Sequence, residues 1–291
     1  MEWVNAVVQG ILLGGLYALL ATGLSLVFGV MRLVNLAQGD LTILAAFLAL
    51  SIVSALGVGP LLTLVLVVPA MMLLGYVIQR VLLERTVGQG PLPSLLVTFG
   101  LAVVLQNVLL DVYSANSRGL DAGAIEGASI KIGDSLAIGA LPLLTFIVAV
   151  AVLVGLQLLL SRTSLGRAFR ATSDDPRAAS LMGIDDRRIY GVAMALALGT
   201  VGIAGVLLGI RTTFGPSDGP THLIFAFEAV VIGGLGSLWG TLVGGVVLGV
   251  SQTVGNQISP SLQLLAGHLV FLAVLFFRPT GLFARSAVRE T

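Results

Sequence analysis

The sequence has no cysteine, a single lysine and few charged or aromatic residues. The absence of cysteine excludes disulfide bonds, thiolate metal sites and a cysteine nucleophile. Charged residues make up 10% of the 291 residues, hydrophobic residues make up 57%, and the mean hydropathy is +1.06. One soluble domain could not bury this much apolar side chain, so the composition indicates a membrane protein.

The apolar residues lie in continuous runs of about 20 residues, the length that an α-helix needs to cross a bilayer. Strands of a transmembrane barrel would instead show short segments of alternating apolar and polar residues. We therefore predict an all-α, polytopic transmembrane helix bundle that forms one domain over residues 1–291. The predicted segments are residues 4–29, 40–57, 60–82, 93–113, 138–160, 189–210, 223–256 and 261–277.

Arginines predict the orientation of the bundle. The connection 161–188 holds six arginines, the largest basic cluster, and basic loops stay in the cytoplasm. The loop 114–136 is then expected on the outer side and the basic C-terminal tail on the cytoplasmic side. If the N-terminus lies outside, a cytoplasmic C-terminus requires an odd number of membrane crossings. We expect nine spans, with 223–256 counted twice because the glycine-rich stretch Gly233–Gly240 interrupts it. Eight spans result if that segment is one span and a re-entrant piece.

Glycines that recur at every fourth position align bare backbone on one helix face and permit close helix packing. Such pairs and triplets are Gly10 and Gly14, Gly205 and Gly209, Gly245 and Gly249, and Gly236, Gly240 and Gly244. We predict close helix contacts at these positions. The alternative for Gly233, Gly234 and Gly236 is an unwound hinge.

The connection 161–188 contains a short predicted helix. Asp175 is suited to its N-cap, Pro176 to its first position and Gly183 to the position after its end. Two alanines with Leu181 and Met182 give this helix of about two turns a small apolar face. That face needs a cover, which is either a partner protein or the surface of the bundle itself.

The chain carries no motif that predicts catalysis. It has no G-x-x-x-x-G-K-[ST] sequence, so ATP hydrolysis is not expected here. The G-x-S-x-G match at Gly215–Gly219 contains Pro216 and is followed by Pro220, which predicts a turn and not a nucleophile elbow. Two histidines without an H-E-x-x-H sequence predict no metal site. We therefore expect a protein that is not an enzyme and binds no cofactor.

Polar side chains inside apolar segments are candidates for a substrate path. Glu228 should face the bundle interior, either on a path or as a buried structural carboxyl, because a carboxylate in lipid is costly. Asn35, Gln38 and Asp40 lie at a junction where Gly39 permits a break. A broken helix end can meet a polar solute; equally, Asp40 can cap the second helix. The amides predicted as interhelical hydrogen-bond partners are Gln106, Asn107, Gln252 and Asn256.

Several stretches resemble the branched-chain amino acid permeases of ABC importers. The matching stretches are Gly23–Met31 with Val34–Asp40, Gly166–Ala168 with Asp174–Ile184, Val231–Ser237 with Gly240, and Arg278–Phe283. They follow the family's order over nearly the whole chain. One departure is that family members often carry His and Glu where this chain has Gln38 and Asp40, so a role that needs an imidazole there is not expected.

The resemblance implies a permease subunit in the bacterial inner membrane with a cytoplasmic C-terminus. Its implied partners are a second, different permease chain, two cytoplasmic ATPase subunits and an external solute-binding protein, with no nucleic acid. The short helix would dock on an ATPase subunit, and the residues implied in docking are Asp174, Asp175, Pro176, Ala179, Leu181, Met182 and Gly183.

The resemblance also bears on the substrate. A branched-chain or related amino acid is expected, delivered by the external binding protein. Permeases for urea and short-chain amides share the same motifs, so these solutes are an alternative. A further alternative is an ion-coupled secondary transporter in which Glu228 relays protons.

Overall fold

The protein is described by a computed structural model that covers residues 2–132 and 136–283. The fold is almost entirely helical, as predicted. The apolar helices are α1 (Glu2–Met31), α2 (Gln38–Leu56), α3 (Leu64–Ile78), α4 (Pro91–Tyr113), α6 (Ala140–Arg162), α9 (Asp186–Arg211), α10 (Gly219–Gly233), α11 (Leu238–Ile258) and α12 (Leu262–Phe277). The shorter helices are α5 (Ala124–Gly127), α7 (Ser164–Asp174) and α8 (Pro176–Leu181).

Within the described residues, seven helical stretches are long and apolar enough to cross a membrane, with α3 extended by its flanking turns to Pro60–Leu83. The helices α10 and α12 are also apolar but have only 15 and 16 residues. The predicted segment 223–256 is divided by residues 234–237 into α10 and α11. The prediction of a broken segment is therefore confirmed, and α10 is shorter than a full span.

The helices α1 and α9 form the centre of the bundle, since most of their residues are buried. Glycines bring α1 against α11: a Cβ atom added at Gly14 would lie 2.5 Å from the Val246 Cα, and one at Gly245 would lie 2.6 Å from the Gly14 carbonyl oxygen. On α9, a Cβ atom at Gly205 would lie 2.7 Å from the Ala45 Cβ of α2. The predicted close contacts are therefore confirmed at these glycines.

The chain turns back into the bundle after α1. Arg32 has a φ of 51°, residues 32–35 are not helical, and the Gln38 side-chain nitrogen donates to the Leu20 carbonyl oxygen at 3.2 Å. Leu20 lies well inside α1, so α2 begins in the interior of the bundle. The predicted break at Gly39 is wrong, because Gly39 is the second residue of α2.

The predicted outer loop, 114–136, contains structure that the sequence analysis did not predict. It holds α5 and the strand β1 (Ser129–Ile132), which pairs antiparallel with β2 (Leu136–Gly139). A bridge between Arg118 and Phe214 joins the loop to the segment before α10. These contacts place the loop at the end of the bundle where α9 ends and α10 begins.

Candidate functional site

The predicted short helix is present as α8, with the predicted N-terminal cap. Asp175 accepts hydrogen bonds from the backbone N–H groups of Arg177 at 2.9 Å and Ala178 at 3.1 Å. Pro176 is the first helical residue, where a missing N–H has no cost. The carboxylate satisfies two of the donors that the start of a helix leaves unpaired.

The C-terminal end of α8 also follows the prediction. Gly183 has a φ of 82°, in the left-handed region, and its N–H donates to Ser180. The N–H of Ile184 reaches back to the carbonyl oxygen of Ala179 at 3.1 Å. These bonds form a Schellman motif, the helix end that most favours glycine.

The apolar side chains of α8 face two directions. Ala179 is buried on the side where α8 packs against α7 and α9. Leu181 and Met182 project away and are 89% and 83% exposed. We call these two residues the α8 tip. Among the described residues, the chain's own surface therefore covers Ala179 but leaves the α8 tip uncovered. Cover by the bundle surface is confirmed for Ala179 only, and cover of the tip by a partner protein stays a prediction.

The helix α7 was not predicted, although its N-cap was a usable signal. The Thr163 hydroxyl accepts from the Gly166 N–H at 3.2 Å, and Phe169 is buried beneath the helix. The Ser173 hydroxyl donates to the carbonyl oxygen of Gly29 at 2.8 Å. Since Gly29 lies near the end of α1, this bond ties α7 to the central helix.

The junction between α1 and α2 is buried, and its polar groups are partly paired. The side-chain oxygen of Asn35 accepts from the N–H of Ala37 at 3.0 Å. Among the described residues, the side-chain nitrogen of Asn35 and the side-chain oxygen of Gln38 have no hydrogen-bond partner. A buried polar group without a partner is costly, which is consistent with a functional position.

Asp40 does not cap α2, so that prediction is wrong. The N-cap is Ala37, and Asp40 is the third residue of the helix. Its carboxylate accepts from the side chain of Gln106 on α4 at 2.9 Å, which confirms Gln106 as an interhelical partner. Asn107, in contrast, is exposed, and within residues 2–132 and 136–283 its side chain donates only to the carbonyl oxygen of Val103 in its own helix. The same prediction for Asn107 is therefore wrong.

The N-terminus of α10 meets the start of α2. A Cβ atom added at Gly39 would lie 2.9 Å from the backbone nitrogen of Leu223, and one at Gly219 would lie 2.8 Å from the backbone nitrogen of Asp40. Gly39 is thus needed for close packing and not for a break. Two helix N-termini converge here inside the bundle, where their free N–H groups favour a negative or polar group.

Glu228 faces the bundle interior, as predicted, and is 3% exposed. One carboxylate oxygen lies 2.5 Å from the Nδ1 atom of His268 on α12, and the other has no partner among the described residues. Nearby, Tyr17 of α1 donates to Gln252 of α11 at 2.5 Å, and the ring of Phe225 stacks on His268. Four helices therefore contribute to this buried polar cluster.

The structure does not bring the four predicted path residues together. Asp40 of α2 packs against Gly219, the first residue of α10, whereas Glu228 lies nine positions further along α10. Nine residues of α-helix span about 13 Å. The role of His268 was missed because its partner lies 40 residues away in the sequence; the only signal was a histidine in an apolar segment.

A cavity of about 1240 Å³ opens at the end of the bundle that carries α8. Its wall combines apolar and polar side chains and comes from α1, α6, α7, the start of α11 and the segment between α10 and α11. Its lining includes Ser25, Phe28, Arg32, Phe169, Asp174 and Trp239. None of the four predicted path residues lines this cavity.

The profile of the protein family described as branched-chain amino acid transport system / permease component matches residues 6–278. The chain belongs to this permease family. It is accordingly a multi-pass membrane transport subunit and not an enzyme.

Individual relatives agree with this assignment. The high-affinity branched-chain amino acid transport system permease protein BraD of Pseudomonas aeruginosa is 30% identical, over 99% of this chain and 98% of the relative. The corresponding LivH protein of Escherichia coli is 27% identical, over 97% and 96%. The fructose import permease protein FrcC of Rhizobium meliloti is 32% identical, over 88% and 70%. No solved structure matches this chain.

Proposed function

We propose that this chain is the membrane subunit of an ABC importer that moves branched-chain or closely related amino acids into the cytoplasm of a bacterium. It works as one permease unit beside a second, different permease chain in the inner membrane. An external binding protein delivers the amino acid, and two ATPase subunits supply the energy. The end of the bundle that carries α8 faces the cytoplasm, as its arginines require.

The uncovered α8 tip carries this proposal. Leu181 and Met182 are large apolar side chains on a polar, arginine-rich surface, where exposure to water has a cost. A helix of six residues is marginal by itself, yet both of its ends are capped. A rigid helix with an apolar tip is suited to insertion in a groove of a partner. We assign the contact with an ATPase subunit to Asp174, Asp175, Pro176, Leu181 and Met182. Ala179, which is buried against the chain's own helices, and Gly183, which ends α8, hold these residues in position.

The cavity beside α7 is the proposed exit of the path. The apolar part of its wall suits an apolar side chain, while Arg32, Arg170 and Asp174 in its lining offer both signs of charge to an amino acid zwitterion. Asn35, Gln38, Asp40 and Glu228 are proposed polar points further inside, at the two positions where α10 meets other helices. A passage with few polar groups binds weakly, which permits release.

Relatives bear on the substrate. This chain covers 98% and 96% of the two amino acid permeases, but 70% of the fructose permease. Identity to the fructose permease is similar, so overall identity does not separate sugar from amino acid carriers. The match in length favours amino acids.

The test is to purify the chain with its associated proteins, reconstitute the complex in liposomes and measure ATP hydrolysis with the binding protein present. We expect leucine, isoleucine or valine to stimulate hydrolysis several-fold, with fructose and urea as comparison solutes. Stimulation by urea alone would move the assignment to the amide permeases. Uptake that needs a proton gradient, proceeds without any ATPase subunit and is lost in Glu228→Gln would contradict the proposal in favour of ion coupling.

A further inference from the structure

The segment Arg278–Phe283, which we call the C-terminal strap, lies across the break between α10 and α11. The N–H of Leu282 donates to the carbonyl oxygen of Ile232 at 2.9 Å, and the N–H of Phe283 donates to that of Gly233 at 3.0 Å. These two carbonyl groups belong to the last turn of α10, where a helix leaves its acceptors unpaired. The strap therefore supplies hydrogen-bond donors to the end of α10, although the two segments are far apart in sequence.

The break that the strap covers, residues 234–237, is built for backbone contact; we call it the hinge. Gly234 and Gly236 have φ values of 103° and 80°, which other residues rarely adopt. Gly281 of the strap has a φ of 83°, and a Cβ atom there would lie 2.5 Å from both the Cα and the N of Gly234. Strap and hinge thus meet backbone to backbone, and glycine is required on both sides.

A second contact joins the same two helices inside the bundle. The carboxylate of Glu228 on α10 and the imidazole of His268 on α12 lie 2.5 Å apart. Since the strap continues directly from α12, α10 is tied to α12 both in its middle and at its end. Such a double attachment favours movement of the two helices as one body.

The hinge also contacts the end of α1, which is bonded to α7, the helix that precedes α8. Leu235, Gly236 and Ser237 line the cavity, as does α7. A Cβ atom at Gly236 would lie 3.2 Å from the Cα of Gly29, and the carbonyl oxygen of Gly29 accepts the hydrogen bond from Ser173 of α7. A continuous series of contacts therefore leads from α8 through α7 and the end of α1 to the hinge.

We propose that the C-terminal strap is a positioning element for transport: it ties the hinge and the end of α10 to the end of α12, so that displacement of α7 moves the cavity wall and does not unwind the end of α10. The link to transport rests on the proposed ATP-driven function. The contact between strap and hinge does not, and the two can be tested separately.

The absence of cysteine makes the hinge directly measurable, because Leu235→Cys introduces the only thiol of the chain. In this background we compare the full chain with two truncations, one that ends at Phe283 and keeps the strap, and one that ends at Arg278 and removes most of it. The readouts, made on the complete complex in liposomes, are the rate of maleimide labelling at position 235 and the leucine uptake per ATP hydrolysed.

In the full chain, the labelling rate should change when ATP is added, because Leu235 lines the cavity. Truncation at Arg278 should raise the labelling rate at least threefold, remove this change and lower uptake per ATP at least tenfold. Truncation at Phe283 should match the full chain in all readouts. If the shorter variant does not fold, Gly281→Ala, which places a Cβ atom against Gly234, should give the same changes to a smaller extent.

Unchanged labelling in both strap variants would overturn the inference, whatever happens to uptake. Unchanged uptake per ATP in a variant with raised labelling would overturn the link to transport and leave the strap as a structural clasp. If instead the full chain shows no ATP-driven uptake while the labelling still responds to loss of the strap, the proposed function fails and the strap–hinge contact stands.

Discussion

The contact between α1 and α11 and the tip of α8 both follow from short sequence signals, but their surroundings differ. At the first, glycines of each helix are covered by the backbone of the other, so every added atom meets a neighbour. At the second, Leu181 and Met182 meet no covering group within the described chain. A substitution in the first region should therefore reduce folding, whereas one in the second should reduce partner binding and leave the fold intact.

The largest effect is expected for Gly249→Leu. A Cβ atom at Gly249 would lie 2.6 Å from the backbone nitrogen of Gly14, and backbone cannot move aside as the end of a flexible side chain can. Overpacking against backbone should cost about 3 kcal/mol, at the upper end of the usual range. The measurements are the yield of monodisperse protein in detergent and its thermal midpoint.

The matched control is Gly100→Leu on α4, where a Cβ atom meets nothing within 4 Å. It should keep a yield and midpoint close to those of the unmodified chain. Equal losses in the two variants would mean that the glycine spacing does not report a close contact.

The second largest effect is expected for Leu181→Asp, at the uncovered tip. A charge placed in an apolar groove should lower leucine-stimulated ATP hydrolysis at least tenfold, equivalent to about 1.4 kcal/mol. The thermal midpoint of the isolated chain should not change, because Leu181 is 89% exposed. Co-purification of the ATPase subunits should fall in parallel.

An exposed position on the same connection supplies the control for added charge. Ser164→Asp, at the first residue of α7, should leave ATP hydrolysis and co-purification unchanged. Full coupling in Leu181→Asp would remove the observation on which the proposed function depends.

A smaller effect is expected for Gly183→Val at the end of α8. A Cβ atom there meets nothing within 4 Å, so the penalty comes only from the φ of 82°. A β-branched residue in the left-handed region costs about 1–2 kcal/mol, which should fray α8 and lower uptake several-fold. Gly183→Asn should retain most of the uptake, since asparagine tolerates this conformation.

Equal uptake by the valine and asparagine variants would show that the left-handed helix end does not matter for coupling. Equal loss in both would indicate a direct contact at position 183 instead of a conformational requirement. Circular dichroism of the isolated chain should not distinguish the variants, because α8 is a small part of the helical content.

These regions also show which parts of the molecule the sequence could predict. The caps of α8 lie within three residues of the groups they bond, and the glycines of α1 and α11 follow helical spacing, so local pattern was sufficient. The position of α2 was different. The start of α2 contacts Leu20 of α1 and Gly219, the first residue of α10. These contacts join segments that are distant in sequence, so no local pattern encodes them.

The candidate site divides in the same way. The sequence indicated that Glu228 faces inward, because a carboxylate in lipid is costly. It did not indicate His268 as its partner, or that the strap completes α10, since these pairs are 40 and about 50 positions apart. Of the two alternatives for Asp40, the cap is wrong because α2 begins two residues earlier, at a position that its tertiary contacts also decide.

The smallest effect is expected at the contact between Asp40 and Gln106. Like the contact between α1 and α11 it joins two helices, and like the α8 tip it has a proposed role in transport. It joins α2 to α4 by a hydrogen bond of 2.9 Å, and it adjoins the proposed path. Interhelical hydrogen bonds within membrane proteins contribute about 0.6 kcal/mol on average. A double-mutant cycle of Asp40→Ala and Gln106→Leu, each of which removes the hydrogen bond, followed by thermal unfolding in detergent, should give a coupling energy of this size.

Transport by the same variants then separates the structural role of Asp40 from its proposed role on the path. If the carboxylate only joins two helices, both single variants should lower uptake equally and in proportion to their loss of stability. If it also guides the solute, Asp40→Ala should lower uptake more than Gln106→Leu at equal stability, because both variants remove the hydrogen bond but only the first removes the charge beside the N-terminus of α10. Equal uptake in the two variants would exclude Asp40 from the path and leave Glu228 as the acidic residue proposed there.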